Sequence, residues 1–350
     1  MKLSKKLCFM LAYLLVLLPF MGFYFGSFYT FLPFFVLFTM IPLMDVLIVD
    51  QSNPDSTQEN MLLKDQYFKL LTWIYVPLQY CFMIFSAYLV VHFPLTVTEF
   101  IGFSLSIGLL TGGIGITLAH ELMHKNSRTD QILGKALLVS VCYGHFFIEH
   151  VRGHHVHVAT PKDPATSRLG ESLYHFLPRT IVGSFRSALH IERKRLSRQG
   201  YPRYHLNNQF WWIIGMPLVL AMALFCYGGW RALLFFILQS LTAIFLLEVI
   251  NYIEHYGLER KKLANGSYEK VSAQHSWNAS HWLSNMILFQ LQRHSDHHVH
   301  GARPYQLLRH IDSSPQLPSG YLGMLILALF PPLWRKVMDK RVLIYRSKNL

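Results

Sequence analysis

Nine histidines stand in four short groups at the ends of apolar segments: His120 and His124; His150, His154 and His155; His255; and His294, His297 and His298. Imidazole is the commonest metal-binding side chain, and ionisable groups inside or beside a membrane default to function rather than packing. His120-Glu-Leu-Met-His124 closes an apolar run, so its two rings lie one helical turn apart on one face and can reach one metal or two adjacent ones. His150-Val-Arg-Gly-His154-His155 repeats that spacing and adds a ring about 100° round the helix. His294-Ser-Asp-His297-His298 does so again, and neighbouring rings that point apart suit two metal ions. His255 follows Glu254 at the end of another apolar run. Any one of these rings is more commonly a hydrogen-bonded structural imidazole; nine in repeated spacing are not.

Five acids lie where they could hold the nitrogens turned away from a metal: Glu121, Glu149, Asp163, Glu254 and Asp296. His275 and His281 flank Trp277-Asn278 close to the last group, and these residues join the expected surroundings of the site. Imidazole-rich ligation with few carboxylates suits iron, copper or zinc, and ligand softness does not rank them. HExxH alone would point to a zinc metalloprotease with Glu121 as base, but the other seven clustered histidines would then be idle. A metal transporter would spread its histidines along a path across the bilayer, whereas these gather on one side.

The elements that must position these rings are membrane helices. The chain of 350 residues is 52% hydrophobic and 15% aromatic, too apolar for a soluble enzyme. Apolar runs of the roughly 20 residues needed to cross a bilayer occupy about 7–26, 28–49, 68–93, 100–119, 210–227 and 232–250, six spans in all. Ile132–Ile148 is too short for a seventh and reads as a helix buried under the others. Strand-like alternation is absent, so the fold class expected is an all-α membrane protein, one domain over 1–350. The polar parts, about 120–209 and 251–350, form a helical cap that holds the histidines. The apolar tail 321–334, interrupted by Pro331-Pro332, reads as an interfacial helix.

Lys2, Lys5 and Lys6 at one end, and Arg335, Lys336, Lys340 and Arg341 at the other, put both termini on the cytoplasmic side. Net charge is +13, and much of it lies between Lys125 and Arg203, a basic surface suited to anionic lipid headgroups or to an acidic electron carrier. The cysteines, Cys8, Cys81, Cys142 and Cys226, form no CxxC pair, so electrons for any redox chemistry come from another protein.

The motifs resemble those of the integral-membrane alkane 1-monooxygenases, within the histidine-box family that also includes xylene monooxygenase and the fatty-acid desaturases. The matching segments are His-Glu-Leu-Met-His-Lys125, Gly144-His-Phe-Phe-Ile-Glu-His-Val-Arg-Gly-His-His155, Val158–Arg168, Asn251-Tyr-Ile-Glu-His-Tyr-Gly257, His275-Ser-Trp-Asn278 and Leu291–His298. The likeness runs from Ile41-Pro-Leu-Met-Asp45 to Met338-Asp339, and the single-histidine motif around His255 separates alkane hydroxylases from desaturases. Met123 stands where that box often has a small residue. The resemblance implies that the nine histidines hold two non-haem iron ions. It implies rubredoxin, a separate chain with its own rubredoxin reductase, as electron donor. It also implies O2 and a medium- to long-chain n-alkane as substrates, membrane lipid as surroundings, no nucleic acid as partner, and the bacterial inner membrane as location. No side chain beyond the metal ligands is then needed as a catalytic group. Hydroxylation or desaturation of another hydrophobic substrate, such as an alkylbenzene or a fatty acid, is the alternative on the same site. If Asp45 faces inward, Ile41 and Leu37 share its face one and two turns back and become candidates to line the substrate tunnel.

Overall fold

The structure is a computed structural model that describes residues 6–348, so Lys2 and Lys5 lie outside the described residues. Among the described residues there are helices and three isolated bridges but no strand, and five helices are long and apolar enough to cross a membrane. These are α1 (Cys8–Phe25), α2 (Ser27–Asp45), α4 (Gln66–His92), α5 (Val97–Met123) and α9 (Phe210–His255), with the short α3 (Ser56–Lys64) between the second and third.

Helix α9 accounts for two of the six expected spans. A straight helix of its 46 residues would run about 69 Å, twice the thickness of a hydrocarbon core. It is instead two helices joined at Gly228-Gly229, where Gly229 takes φ +59°, a conformation open to glycine. The joint sits at the end of α4, where Tyr227 meets the His92 ring at 6.0 Å and Arg231 donates to the Phe93 carbonyl at 3.3 Å. Both free ends return to the opposite side: the Gln209 amide donates to Glu192 of the cap, and His255 reaches the histidine groups. Two membrane arms therefore form from one assigned helix.

The upper arm of α9 packs on α5 through glycine. A Cβ on Gly108 would lie 2.7 Å from the Gln239 carbonyl oxygen, and one on Gly112 would lie 2.6 Å from the Ala243 Cα. Small residues four apart let two backbones approach where lipid supplies no hydrophobic drive.

Two expectations need correction. The stretch 132–148 is not one helix: α6 (Arg128–Val139) stops, and α7 (146–157) begins after a turn in which Cys142 takes φ +58°. Buried glutamines stabilise that turn by satisfying its polar groups: Gln79 donates to the Ser140 hydroxyl at 2.7 Å and Gln239 to the Ser140 carbonyl at 3.0 Å. Nor is 321–334 an interfacial helix. Helix α12 (Tyr321–Ala328) is buried on the core, and Pro331-Pro332 opens α13 (Pro331–Lys348), a position where missing amide donors cost little. Trp334 is fully buried between Tyr252 and Tyr256, which draws the tail inward. The cap is completed by α8 (Leu173–Arg198), α10 (Trp282–Ile287) and α11 (His294–Val299).

Gly112→Ala should destabilise the protein by about 1–3 kcal/mol through overpacking against Ala243, read as a lowered thermal midpoint in detergent. An unchanged midpoint would contradict the close approach of α5 and α9.

Candidate metal centre

Four elements bring the nine histidines together. The end of α5 supplies His120 and His124, α7 supplies His150, His154 and His155, α9 ends in His255, and α11 carries His294, His297 and His298. Their ring nitrogens form two groups, each with candidate donor atoms within 4.8 Å of one another: His120, His124, His150, His155 and His297 in one, and His154, His255, His294 and His298 in the other. The groups touch, with the His155 and His298 rings 4.4 Å apart.

Local backbone decides which ring joins which group. In α5 and α11 the helix is α-helical, and residues four apart, His120/His124 and His294/His298, share a group. Residues 150–154 instead form a π-turn, whose bonds join residues five apart, and His150 shares its group with His155 rather than His154. The one-turn spacing of His150 and His154 therefore does not put the two rings in one group. Adjacent residues diverge, His154 from His155 and His297 from His298, so each cluster feeds both groups.

Nitrogen spacing matches coordination. Nε2 of His150 lies 2.9 Å from that of His120 and 3.0 Å from that of His155, the His155–His297 separation is 3.1 Å, and that of His298 and His294 is 3.0 Å. Nitrogens bound about 2.1 Å from one ion at right angles stand about 3.0 Å apart. A chain of N–H···N hydrogen bonds could give one or two such distances, but Nε2 of His124, His154 and His255 are buried without any hydrogen-bond partner. Buried donors left this way are what a metal would satisfy.

The opposite ring nitrogens are held where the structure gives them partners. His154 Nδ1 lies 2.9 Å from Asp163, whose carboxylate also accepts from the Thr166 hydroxyl at 2.5 Å and the Ala165 amide at 3.0 Å. His255 Nδ1 faces the His275 carbonyl at 3.2 Å and the Ser276 hydroxyl at 3.4 Å. Fixing one nitrogen aims the other at the metal.

Burial pushes the His150, His155, His294, His297 and His298 rings well below the ordinary imidazole value, and neighbouring imidazoles push them further. Burial, with Lys125 beside it, brings His124 down to about 3. Asp163 is raised by burial but held below the usual carboxylate range overall by His154 and Thr166. Neutral rings keep the lone pair a metal needs.

Four of the five expected acids sit elsewhere than behind a ring: Glu254 lies 3.1 Å from His294 Nε2, the nitrogen that faces His298. Glu121 pairs with Lys125 at 2.6 Å and accepts from the Tyr305 amide at 3.2 Å. Glu149 is buried against Gly153, where an added Cβ would lie 2.6 Å from its oxygen. Asp296 receives Arg303 on both oxygens at 2.7 Å and the Arg309 amide at 3.0 Å, bracing the chain after α11. Asn278 accepts from the Ser295 amide at 2.8 Å and so fixes the start of α11, while Trp277 donates to the Tyr256 carbonyl at 2.9 Å and clamps the chain after His255. His281 starts α10 on the side of Asp45, outside both histidine groups. His275, expected beside the site, meets His255 through its backbone carbonyl rather than its ring.

A narrow cavity rises from the histidines into the bundle. Its walls are apolar, among them Leu109, Leu110, Leu246, Ile250, Leu322 and Leu325, and its polar end includes His120, His150, His294 and Glu254. Asp45 is buried and accepts from the Ser284 amide at 3.0 Å. Leu37 lines the cavity; Ile41 is buried but does not.

Two imidazole groups at the foot of an apolar intramembrane cavity define a histidine-box membrane metalloprotein. The family model described as fatty acid desaturase matches residues 97–327, which span all four histidine clusters. Alkane 1-monooxygenase 2 of Pseudomonas aeruginosa is 45% identical over 315 residues, covering 89% of this chain and 83% of that protein. Alkane 1-monooxygenase 1 of the same organism is 44% identical over 326 residues, 91% and 84% of the two chains, and alkane 1-monooxygenase 1 of Alcanivorax borkumensis is 46% identical over 305 residues, 87% and 75%. The chain belongs to the alkane 1-monooxygenase family, within the wider membrane desaturase family.

Asp163→Asn should weaken metal binding about 10- to 100-fold, measured by competition with a chelator; unchanged affinity would remove Asp163 from the support of His154. Lowered ring pKa values make the unfolded chain bind more protons than the folded one below about pH 6.5. Stability contributed by these rings is therefore full above that value and falls as the pH drops from there toward about 3 for His124. Thermal midpoint and bound metal should both decline between about pH 7 and pH 5 while holding steady between about pH 7 and pH 9. A midpoint flat across the acidic range would show that the rings are not held neutral.

Proposed function

We propose that this protein hydroxylates the terminal methyl group of medium- to long-chain n-alkanes: R–CH3, O2, two electrons and two protons give R–CH2OH and water. The observation that carries this is the cavity itself, an apolar channel inside the membrane bundle whose polar end is formed by the histidine groups. A hydrocarbon dissolved in lipid can enter such a channel, and each buried methylene contributes about 0.8 kcal/mol.

Two iron ions would be held by the groups of five and four histidines, and when bound they supply the reductive activation of O2 that attack on an unactivated C–H bond needs. The protein's own share is positional. The leucine and isoleucine walls align the chain and keep water from its reactive end. Glu254, buried at the cavity's polar end beside the Tyr321 hydroxyl and His294, is placed to hold a proton or accept a hydrogen bond from the product hydroxyl. Asp163, the His275 carbonyl and Asn278 keep the rings in place.

Rubredoxin, a separate small protein recharged by rubredoxin reductase, fits as the electron donor. Its support is the basic groove of Arg152, Lys194, Arg195 and Arg198, with Arg152 set between His150 and His154. The basic stretch 125–203 likewise favours a cytoplasmic position for the cap, and the bacterial inner membrane as the location.

Iron-loaded enzyme given reduced rubredoxin, O2 and octane should form octan-1-ol, with xylene and a fatty acid as competing substrates. Oxidation of either competitor with octane left untouched would move the assignment to the alternative substrate class. Leu37→Trp should shorten the longest alkane oxidised, seen in a homologous alkane series. A product profile identical to the parent's would take Leu37 out of the channel's working length.

A further inference from the structure

The glycines of Thr111-Gly-Gly-Ile-Gly115 divide by what a side chain would meet. A Cβ on Gly112 strikes the Ala243 backbone and one on Gly115 strikes Gln79, but one on Gly113 has no atom within 4 Å, and Gly113 lines the cavity. Gly112 and Gly115 permit packing. Gly113 leaves space.

The cavity runs along α5 from Leu109 past Gly112 and Gly113 to Ile116, Thr117 and His120, and of its two glycines Gly113 is the one with open space beside it. Across this stretch the helix makes a π-turn at Thr111–Ile116, and the Thr117 hydroxyl donates to the Gly113 carbonyl at 2.7 Å, which holds that residue in place. With about 1.5 Å of rise per residue, Gly113 sits about 10 Å along the helix from His120. A stretched hydrocarbon advances about 1.25 Å per carbon, given C–C bonds of about 1.5 Å. The wall opposite Gly113 is therefore passed by roughly the eighth carbon of a chain whose methyl end lies at His120.

We propose that Gly113 sets the chain-length limit of this enzyme: the missing side chain is the gap through which alkanes longer than about eight carbons extend toward Leu109. This rests on the alkane reading of the site. It assigns chain-length selection to a residue whose substitution fills space without touching the histidines.

The test measures binding of radiolabelled hexane and dodecane to the iron-loaded enzyme alongside turnover, in Gly113→Ala and Gly113→Leu. Gly215→Leu, open to substitution but outside the cavity, is the control. Gly113→Leu should bind hexane like the parent and dodecane about tenfold or more weakly, with Gly113→Ala between them and the control unchanged. A parental hexane-to-dodecane ratio in both variants overturns the proposal. If Gly113→Leu loses its iron or its thermal midpoint, Gly113→Ala decides alone by the same ratio. The binding ratio judges Gly113, whereas absent turnover by the parent enzyme, with binding intact, would fault the alkane-oxidation reading instead.

Discussion

Nine imidazoles pack ring against ring beneath a membrane bundle, and the rest of the molecule is arranged around that crowding. Rings within 4.8 Å of one another cannot carry positive charge together, and burial removes the water that would support it. The same burial that favours the neutral ring leaves its nitrogens without solvent partners, so each needs either a protein acceptor or a metal. The bundle ends, the π-turn and the braced loops serve to meet that condition. Two carboxylates, Asp163 and Glu254, sit against rings of the four-histidine group, so the centre stays imidazole-rich.

What could be read from the sequence was what regular helices dictate. Six membrane arms were legible from apolar run length, including the break within α9, because Gly228-Gly229 interrupts a run too long for one crossing. The nine histidines were legible because their spacing follows helical turns. Which histidines share a group was not: in an α-helix residues five apart diverge by about 140°, and only the π-turn returns His155 to the side of His150. Nothing in residue types marks a π-turn.

The acids show a second limit. Glu121, Glu149 and Asp296 are as close in sequence to the histidines as Asp163 and Glu254, yet Lys125 and Arg303 draw two of them away, and Glu149 is turned toward Gly153. Sequence proximity does not fix side-chain direction, and backbone acceptors such as the His275 carbonyl carry no residue signature. The turn at 140–145 escaped for a similar reason, since it places Cys142 at positive φ and its Ser140 is held by Gln79 and Gln239 from distant helices.

Helix α5 joins these themes, because it must serve three neighbours at once. Gly108 and Gly112 admit the α9 backbone, Gly115 admits Gln79, and a third face runs beside the cavity to His120. A regular helix repeats its faces every 3.6 residues, and a π-turn shifts the faces beyond it. Placed at Thr111–Ile116, that shift lies between the glycines that pack and the histidines that converge. Of the three π-turns among the described residues, at Val36–Met40 in α2, in α5 and in α7, the last two act on the same site: the one in α5 orients the channel and the one in α7 distributes the rings that close it. Restoring α-helical register in either would leave composition and burial nearly intact while turning His120 or His155 away from its group, so the site depends on backbone geometry as much as on its ligands.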